Sequence, residues 1–122
     1  MREILFRGKP LENPKLSFIY GSLLIFNDCY SIEEHKPFAF AKPINSETLG
    51  QFTGIYDRNG VRIFEGDIIK TAIGNVIVIF KACGFMGEVI GKQFYYDLYD
   101  DNLEFVEVIG NIYDNPELLS GE

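Results

Sequence analysis

Residues 56–70 of the chain, YDRNGVRIFEGDIIK, place two turn signals between short apolar segments. Asn59-Gly60 is the strongest short hairpin signal, because a type I′ turn needs both of its central residues at positive φ. Gly66-Asp67 forms the second turn, after which Ile68 and Ile69 begin another apolar run. The stretch therefore predicts three consecutive strands joined by tight turns.

The same alternation of strand and turn signals continues along the chain. Twelve glycines interrupt a sequence that has eleven phenylalanines and seven tyrosines, residue types that favour strands. No long segment has the apolar spacing of an amphipathic helix. Residues 45–50 predict a single helical turn with Asn45 or Ser46 as its cap, and residues 3–6 and 38–41 predict strands.

We therefore predict a mainly β protein. Residues 1–50 are expected to form an N-terminal β subdomain ending in the helical turn, and residues 51–122 a small barrel, unless both build one integrated domain. The Gly66-Asp67 turn feeding an alternating strand resembles the corresponding point of SH3-like barrels, so the predicted barrel is SH3-like.

Length and composition exclude several classes of protein. A chain of 122 residues supports one domain, or one with an appended subdomain. Its longest apolar runs, such as residues 23–26 and 76–80, are far shorter than the roughly 20 residues that span a bilayer. The first residues lack the apolar core of a secretory signal. The two cysteines, Cys29 and Cys83, do not make a disulfide framework, so we expect a cytoplasmic protein with reduced, largely buried thiols.

The net charge of −7 is concentrated at the C-terminal end. Residues 1–92 carry a net +1, whereas residues 93–122 carry eight acids and no lysine or arginine. Such a balance disfavours sequence-independent binding to nucleic acid. A solvated acidic face is the simplest interpretation; mimicry of nucleic-acid charge by Asp97, Asp100, Asp101 and Glu104 is an alternative.

No pattern in the sequence indicates catalysis. The single histidine, His35, lies in a polar loop with no nucleophile motif around it. Glu65 and Asp67 have the spacing of paired carboxylates, but a turn role for Asp67 is the simpler interpretation. One histidine and two distant cysteines do not supply a zinc site. We expect no enzyme activity, no cofactor and no metal.

One group of residues has the composition of a nucleic-acid-binding face. Aromatic side chains alternate with basic ones in the second half of the chain, as on barrels that stack bases. Core filling is the alternative explanation for the aromatic residues. The candidate binding residues are Tyr56, Arg58, Arg62, Phe64 and Lys70.

Three stretches of the sequence together resemble the YopX family. They are the opening MREILFRG (residues 1–8), the central ETLGQFTGIYDRNG with IFEGDII (residues 47–60 and 63–69), and the closing VIGNIYDNPELL (residues 108–119). Residues 20–24 also resemble a segment of the family. The resemblance implies a protein of phages, prophages or other mobile elements, mainly β, with an SH3-like barrel in the C-terminal part. It implies no established activity and no catalytic residues.

We therefore expect a non-enzymatic accessory protein that binds a partner protein. Residues 76–80 are too uniformly apolar for a half-solvated strand, so they are expected in the core or at a subunit contact of a homo-oligomer. The family signature does not cover the loops at residues 9–17 and 81–103, where a specialised function would lie. Nucleic-acid binding and an acidic inhibitor of a host protein are the two alternatives.

Overall fold

The computed structural model describes residues 3–13, 15–81, 84–91, 95–98 and 105–120. The chain divides into two compact units, Met1–Phe52 (unit 1) and Thr53–Glu122 (unit 2). Every regular element in the described ranges is a strand or a short 3-10 helix. The protein is therefore mainly β, as predicted.

Unit 1 is built from short antiparallel strands. They are β1 (Phe6–Gly8), β2 (Ile19–Phe26), β3 (Cys29–Glu33), β4 (Lys42–Pro43) and β5 (Gly50–Tyr56), the last running on into unit 2. Their order in the sheet is β4-β3-β2-β1-β5. The first strand begins later than the predicted residues 3–6, because Phe6, Arg7 and Gly8 are the residues that pair with β2. Phe6 and Arg7 also pair with β5.

Strand β2 changes partner along its length. Residues 19–21 pair with β1, and residues 22–26 pair with β3. The change occurs at Gly21, where a Cβ atom would overlap the backbone carbonyl of Glu33. Gly21 therefore marks a change of partner within one strand.

The segment after β1 closes the sheet of unit 1 on itself. The amide of Leu11 donates to the carbonyl of Pro43 (3.1 Å), and the amide of Asn45 donates to the carbonyl of Lys9 (2.9 Å). Buried side chains fill the interior of this unit: Leu5, Ile32, Ile44 and Phe52. Because segment 9–11 runs antiparallel to β4, the loops at residues 12–18 and 34–41 lie at the same end of unit 1, opposite the β2–β3 turn.

The predicted helical turn of unit 1 is present. A 3-10 helix covers Ser46–Thr48, and the Oδ1 atom of Asn45 accepts a hydrogen bond from the amide of Glu47 (3.0 Å). The hydroxyl of Thr48 also accepts the amide of Lys9 (2.8 Å). These bonds fasten the turn to the segment that follows β1.

Unit 2 contains further antiparallel strands and a short helix. The elements are β6 (Arg62–Phe64), β7 (Asp67–Thr71), β8 (Gly74–Lys81), β9 (Gly84–Val89), β10 (Tyr95–Asp97), β11 (Glu107–Asn111) and a 3-10 helix (Pro116–Ser120). Five of the strands form a sheet in the order β10-β9-β8-β7-β11, and β6 pairs with β5. A core of buried aliphatic residues lies in this unit: Ile63, Ile69, Val76, Val78, Val89 and Val106.

The apolar run at residues 76–80 lies in β8 and alternates in burial. Val76 and Val78 are completely buried, Ile77 and Ile79 are partly buried, and Phe80 is exposed. One face of the strand thus belongs to the core. The exposed ring of Phe80 packs edge-on against Phe85 of β9 (5.2 Å between ring centroids).

The prediction of a type I′ turn at Asn59-Gly60 is wrong. Gly60 has φ +78°, but Asn59 is not among the described residues with positive φ. The amide of Gly60 donates to the carbonyl of Asp57 (3.1 Å), as in a type I turn followed by a left-handed glycine. The two-residue turn with both residues at positive φ is instead Asn27-Asp28, between β2 and β3.

The prediction that both cysteines are largely buried is wrong for Cys29. Cys29 is exposed, because it is the first residue of β3, next to the turn and paired with the exposed Phe26. Cys83 lies outside the described residues.

Candidate functional site

The predicted basic and aromatic residues only partly come together. Tyr56 and Arg62 lie on the paired strands β5 and β6, with the guanidinium carbon of Arg62 5.8 Å from the centre of the Tyr56 ring. Phe64 is only 3% exposed, because it points into the interior from β6. Its ring therefore offers no surface on which a base could stack.

The other two basic residues of that group are exposed but lie next to acidic groups. Arg58 is in the β5–β6 turn, directly after the buried carboxylate of Asp57. Lys70 lies opposite Glu107 in the β7–β11 pair. Directly opposed side chains of a sheet lie on the same face within about 5 Å of each other. The positive charge of this surface is thus partly neutralised.

The carboxylates near the turns of unit 2 have structural partners. The buried Asp67 accepts the amide of Phe64 at its Oδ2 atom (2.8 Å), as expected of a turn aspartate. Asp57 accepts three amides, those of Asn59, Val61 and Val108, at 2.8, 2.9 and 3.0 Å. Burial raises the pKa of Asp57, but these donors together with Arg58 outweigh it, so the pKa lies below the ordinary 3.8.

His35 has a hydroxyl partner. Its Nε2 atom lies 2.8 Å from the hydroxyl of Ser22, and both residues are exposed. A catalytic serine–histidine pair also needs a group that orients the second ring nitrogen. The described residues offer the ring no second hydrogen bond. The pair is therefore a surface contact that joins β2 to the loop after β3.

Within the described ranges, no three His, Cys, Asp or Glu side chains are close enough to hold a metal ion together. The side chains of Asp97, Asp100, Asp101 and Glu104, named above for charge mimicry, lie outside the described part of the chain.

Two buried cations of unit 1 flank one aromatic ring. Arg7 and Lys9 lie two residues apart, so their side chains share one face of the strand. The guanidinium carbon of Arg7 is 4.1 Å, and the Nζ atom of Lys9 4.4 Å, from the centre of the Phe18 ring. Lys9 also donates to the carbonyl of Leu16 (2.9 Å). These contacts fix the loop between β1 and β2.

The β2–β3 hairpin ends in exposed apolar side chains. Leu24, Ile25 and Phe26 precede the turn, and Phe26 is 77% exposed. We call these three residues the hairpin tip. Successive strand residues point to opposite faces, so the tip presents apolar surface on both sides. Contiguous exposed apolar side chains of this kind are a common feature of binding surfaces in soluble proteins.

A second exposed apolar group lies at the opposite end of unit 1. Phe38 is 97% and Phe40 84% exposed, in the loop of residues 34–41, which we call the phenylalanine loop. Phe38 has φ +60°, a conformation that is strained for a bulky residue. A hydrogen bond between Glu34 and Lys42 (2.8 Å) spans the loop and lowers the pKa of Glu34.

An open cavity of about 740 Å³, lined mostly by exposed residues, lies beside β4 in unit 1. Its walls come from the loop between β1 and β2 and from β4 itself. Glu12, Ser17 and Lys42 supply the polar part of the lining. The apolar part consists of Pro10, Leu11, Leu16, Ile19 and Pro43.

The hairpin tip, the phenylalanine loop and the cavity were not predicted from the sequence as a functional site. Residues 38–41 were predicted as a strand, which is wrong: the described structure has no strand there. The available signal was two phenylalanines between Pro37 and Pro43, directly after the polar residues 33–36. Loop 9–17 had been singled out as a place for specialised function, and most of the cavity wall comes from it.

One comparison with known proteins shows the fold, and another shows the family. No curated protein matches the chain. The crystal structure of protein EF1440 from Enterococcus faecalis is similar with a TM-score of 0.64, covering 98% of this chain and 100% of that one at 21% identity. No helix of the described residues is long and apolar enough to cross a membrane. The family description "YopX protein" matches residues 9–120, so the chain belongs to the YopX family.

Proposed function

We propose that the protein is a non-enzymatic accessory protein that binds a partner protein through the hairpin tip of unit 1. The observation that carries the proposal is the exposure of Ile25 and Phe26 at the end of a two-stranded hairpin. Apolar side chains of this size are hydrated at a cost of about 25 cal/mol per Å² of apolar surface. Burying them against a partner removes that cost.

The distribution of charge supports the same surface. Unit 1 has six basic and six acidic residues and is therefore neutral, whereas unit 2 has five basic and twelve acidic residues and carries the whole −7. An apolar surface on a neutral unit is not protected from association by charge repulsion. Unit 2, by contrast, repels other acidic molecules.

The family resemblance supports a proposal about the biological setting in which the protein acts. We propose that the protein serves a phage or another mobile element in the cytoplasm of its bacterial host. We also propose that unit 2 is an SH3-like barrel, supported by its five-stranded antiparallel sheet and by the Gly66-Asp67 turn that opens β7. Neither proposal is needed for the binding function of the hairpin tip.

The charge of unit 2 supports one second candidate function. An inhibitor that imitates nucleic acid needs a dense acidic surface, and residues 93–122 carry a net −8. It would bind a basic host protein. Nucleic-acid binding through Tyr56, Arg58, Arg62 and Lys70 has weaker support, because Phe64 is buried and Lys70 lies opposite Glu107.

The proposal is tested by affinity capture from the cells in which the protein occurs. Wild type is compared with the double variant Ile25→Ser, Phe26→Ser and with Ile73→Ser, a matched exposed isoleucine in a turn of unit 2. We expect a defined partner protein with wild type and Ile73→Ser, and its loss with the tip variant. Equal capture by all three would refute a role for the tip, and salt-sensitive capture would favour the acidic surface.

A further inference from the structure

We propose that Asn59 is a site of spontaneous modification, at which the side chain loses ammonia and the residue becomes aspartate or isoaspartate. The residue lies in the β5–β6 turn of unit 2. The reaction does not involve the hairpin tip of unit 1. It therefore goes beyond the partner binding proposed above, and either proposal stands if the other fails.

The reaction is an attack by a backbone nitrogen on the side chain that precedes it. The amide nitrogen of Gly60 forms a bond to Cγ of Asn59, and the bond from Cγ to Nδ2 breaks. Ammonia leaves with the proton of the Gly60 amide, and a cyclic succinimide remains. Water then opens this ring. Opening at Cγ gives aspartate, whereas opening at the backbone carbonyl carbon gives isoaspartate, whose backbone runs through the former side chain.

The residue that follows an asparagine controls this attack. The nitrogen of a proline carries no hydrogen and cannot form the ring, which protects Asn13 and Asn115. A side chain on the following residue crowds its nitrogen, whereas glycine has no Cβ. Of the eight asparagines in the chain, Asn59 alone precedes a glycine. The sequence thus singles out one position for a reaction to which asparagine is generally prone.

The structure leaves the side chain of Asn59 available for the reaction. Asn59 and Gly60 are both exposed. Within the described part of the chain, only the backbone amide of Asn59 makes a hydrogen bond, and its side-chain amide makes none. By contrast, hydrogen bonds hold the side chains of Asn45, Asn111 and Asn115. The Cγ atom of Asn59 can therefore turn toward the nitrogen that attacks it.

One hydrogen bond of the turn opposes the attack. The amide of Gly60 donates to the carbonyl of Asp57 over 3.1 Å, and the nitrogen must leave this bond to reach Cγ. The turn is exposed, and exposed backbone hydrogen bonds open by local motion far more often than the whole fold does. We therefore expect the reaction to proceed in the folded protein through local opening of the turn.

The products disturb the contacts of the buried Asp57 carboxylate. Its Oδ1 atom accepts the amides of Asn59 (2.8 Å) and Val61 (2.9 Å), and its Oδ2 atom accepts that of Val108 in β11 (3.0 Å). Isoaspartate lengthens the backbone between the first two donors, so both no longer match one oxygen atom. Either product also adds a negative charge two residues from Asp57. Modification should therefore weaken the connection between the turn and β11.

The experiment is incubation of the full chain at neutral pH, followed by digestion and mass spectrometry with reference peptides for aspartate and isoaspartate. A peptide of residues 56–62 shows the rate without the fold, and Asn27, also in an exposed turn, is the internal control. We expect both products at position 59, and conversion at least about tenfold slower at Asn27, equivalent to about 1.4 kcal/mol in the barrier. Conversion of the peptide without conversion of Asn59 in the protein, or equal rates at Asn27 and Asn59, would overturn the proposal.

Two variants test the attacking atom and the route. Gly60→Asn introduces a residue that tolerates the φ of +78°, and its Cβ would meet no atom within 4 Å. Its side chain crowds the nitrogen, so conversion of Asn59 should slow at least about tenfold. Asp57→Asn loosens the turn and should speed conversion. An unchanged rate in Gly60→Asn, or no acceleration in Asp57→Asn, would contradict the proposed attack.

Thermal unfolding measures the effect on the fold. Protein incubated until position 59 is largely converted should unfold at a midpoint at least about 4 °C below that of unincubated protein. Gly60→Asn, incubated in the same way, should keep its own midpoint. The same decrease in both proteins, or none in wild type despite full conversion, would contradict the connection between Asn59 and the Asp57 contacts.

Discussion

The carboxylate of Asp57 accepts a hydrogen bond from the amide of Val108, 51 residues later in the chain, over 3.0 Å. The same carboxylate accepts the amides of Asn59 and Val61 in the β5–β6 turn. One buried side chain therefore ties the turn to β11. Strand β11 lies at the edge of its sheet, where backbone amides lack a partner strand on one side. The Asp57 carboxylate supplies a hydrogen-bond acceptor for one of these amides.

We predict that Asp57→Asn destabilises the protein by about 2 kcal/mol. In the asparagine a neutral oxygen replaces the charged acceptor, and the side-chain NH₂ group faces a backbone N–H donor instead of accepting from it. Urea unfolding at neutral pH measures the change. Glu117→Gln, at an exposed acid, is the control and should change stability by less than about 0.5 kcal/mol. An equal effect of both substitutions would contradict the role given to Asp57.

The pH dependence of stability follows from the lowered pKa of Asp57. A carboxyl whose folded-state pKa is lowered stabilises the fold at pH values above its unfolded pKa, near 4. That contribution is lost as the pH falls through the lower, folded pKa. We therefore expect wild type to lose stability more steeply than Asp57→Asn below about pH 4. Parallel curves of unfolding free energy against pH for the two proteins would show that Asp57 is not responsible.

Gly21 is the position where we expect the largest effect of adding one methyl group. A Cβ atom there overlaps the backbone carbonyl of Glu33, which has no side-chain freedom to move away. Gly21→Ala should cost about 3 kcal/mol or prevent folding of unit 1. Gly84→Ala, also in a strand but with open space around the new Cβ, should cost less than about 1 kcal/mol. Thermal unfolding of both variants checks the difference.

The contact between Lys9 and Phe18 can be measured directly. We predict a coupling free energy of about 1 kcal/mol in the double-mutant cycle of Lys9→Met and Phe18→Leu, because the ammonium lies over the ring in a partly buried site. The cycle cancels the hydrogen bond from Lys9 to Leu16, which is lost whenever Lys9 is replaced. Additive effects of the two substitutions would show that the ring and the ammonium do not interact.

Phe38 should be replaceable without loss of stability. Its side chain is almost fully exposed and its φ of +60° suits glycine better than phenylalanine. We expect Phe38→Gly to leave the free energy of unfolding unchanged or to raise it by up to about 1 kcal/mol. Destabilisation of more than about 1 kcal/mol would instead assign Phe38 a role in the fold.

Sequence reasoning succeeded where a local interaction determines the structure. The cap of Asn45 on residues 46–48 and the carboxylate of Asp67 in its turn involve neighbours within a few residues, so residue type and spacing predict them. The Asn59-Gly60 turn was predicted with the wrong geometry. Asp57 accepts the amides of Asn59 and Val61, and this favours a type I turn over the type I′ turn that the dipeptide alone suggests.

Other features depend on distant parts of the chain and were therefore missed. Phe64 lies in the interior because β6 packs into unit 2, which its basic neighbours in sequence do not reveal. The exposure of Phe38 and Phe40 was missed because large and small residues alternate over residues 38–41, as they do in a strand. Pairing of residues 31–32 with Lys42 and Pro43 begins β4 only after the two rings, leaving residues 34–41 as a loop.

The most direct test of the central claim, that unit 1 binds protein through the hairpin tip, is photo-crosslinking in the cells where the protein occurs. A benzophenone amino acid replaces Phe26, and the control places the same residue at Ile73 of unit 2. We predict a covalent adduct with a partner protein from position 26 and none from position 73. Adducts from position 73 without any from position 26 would contradict the account.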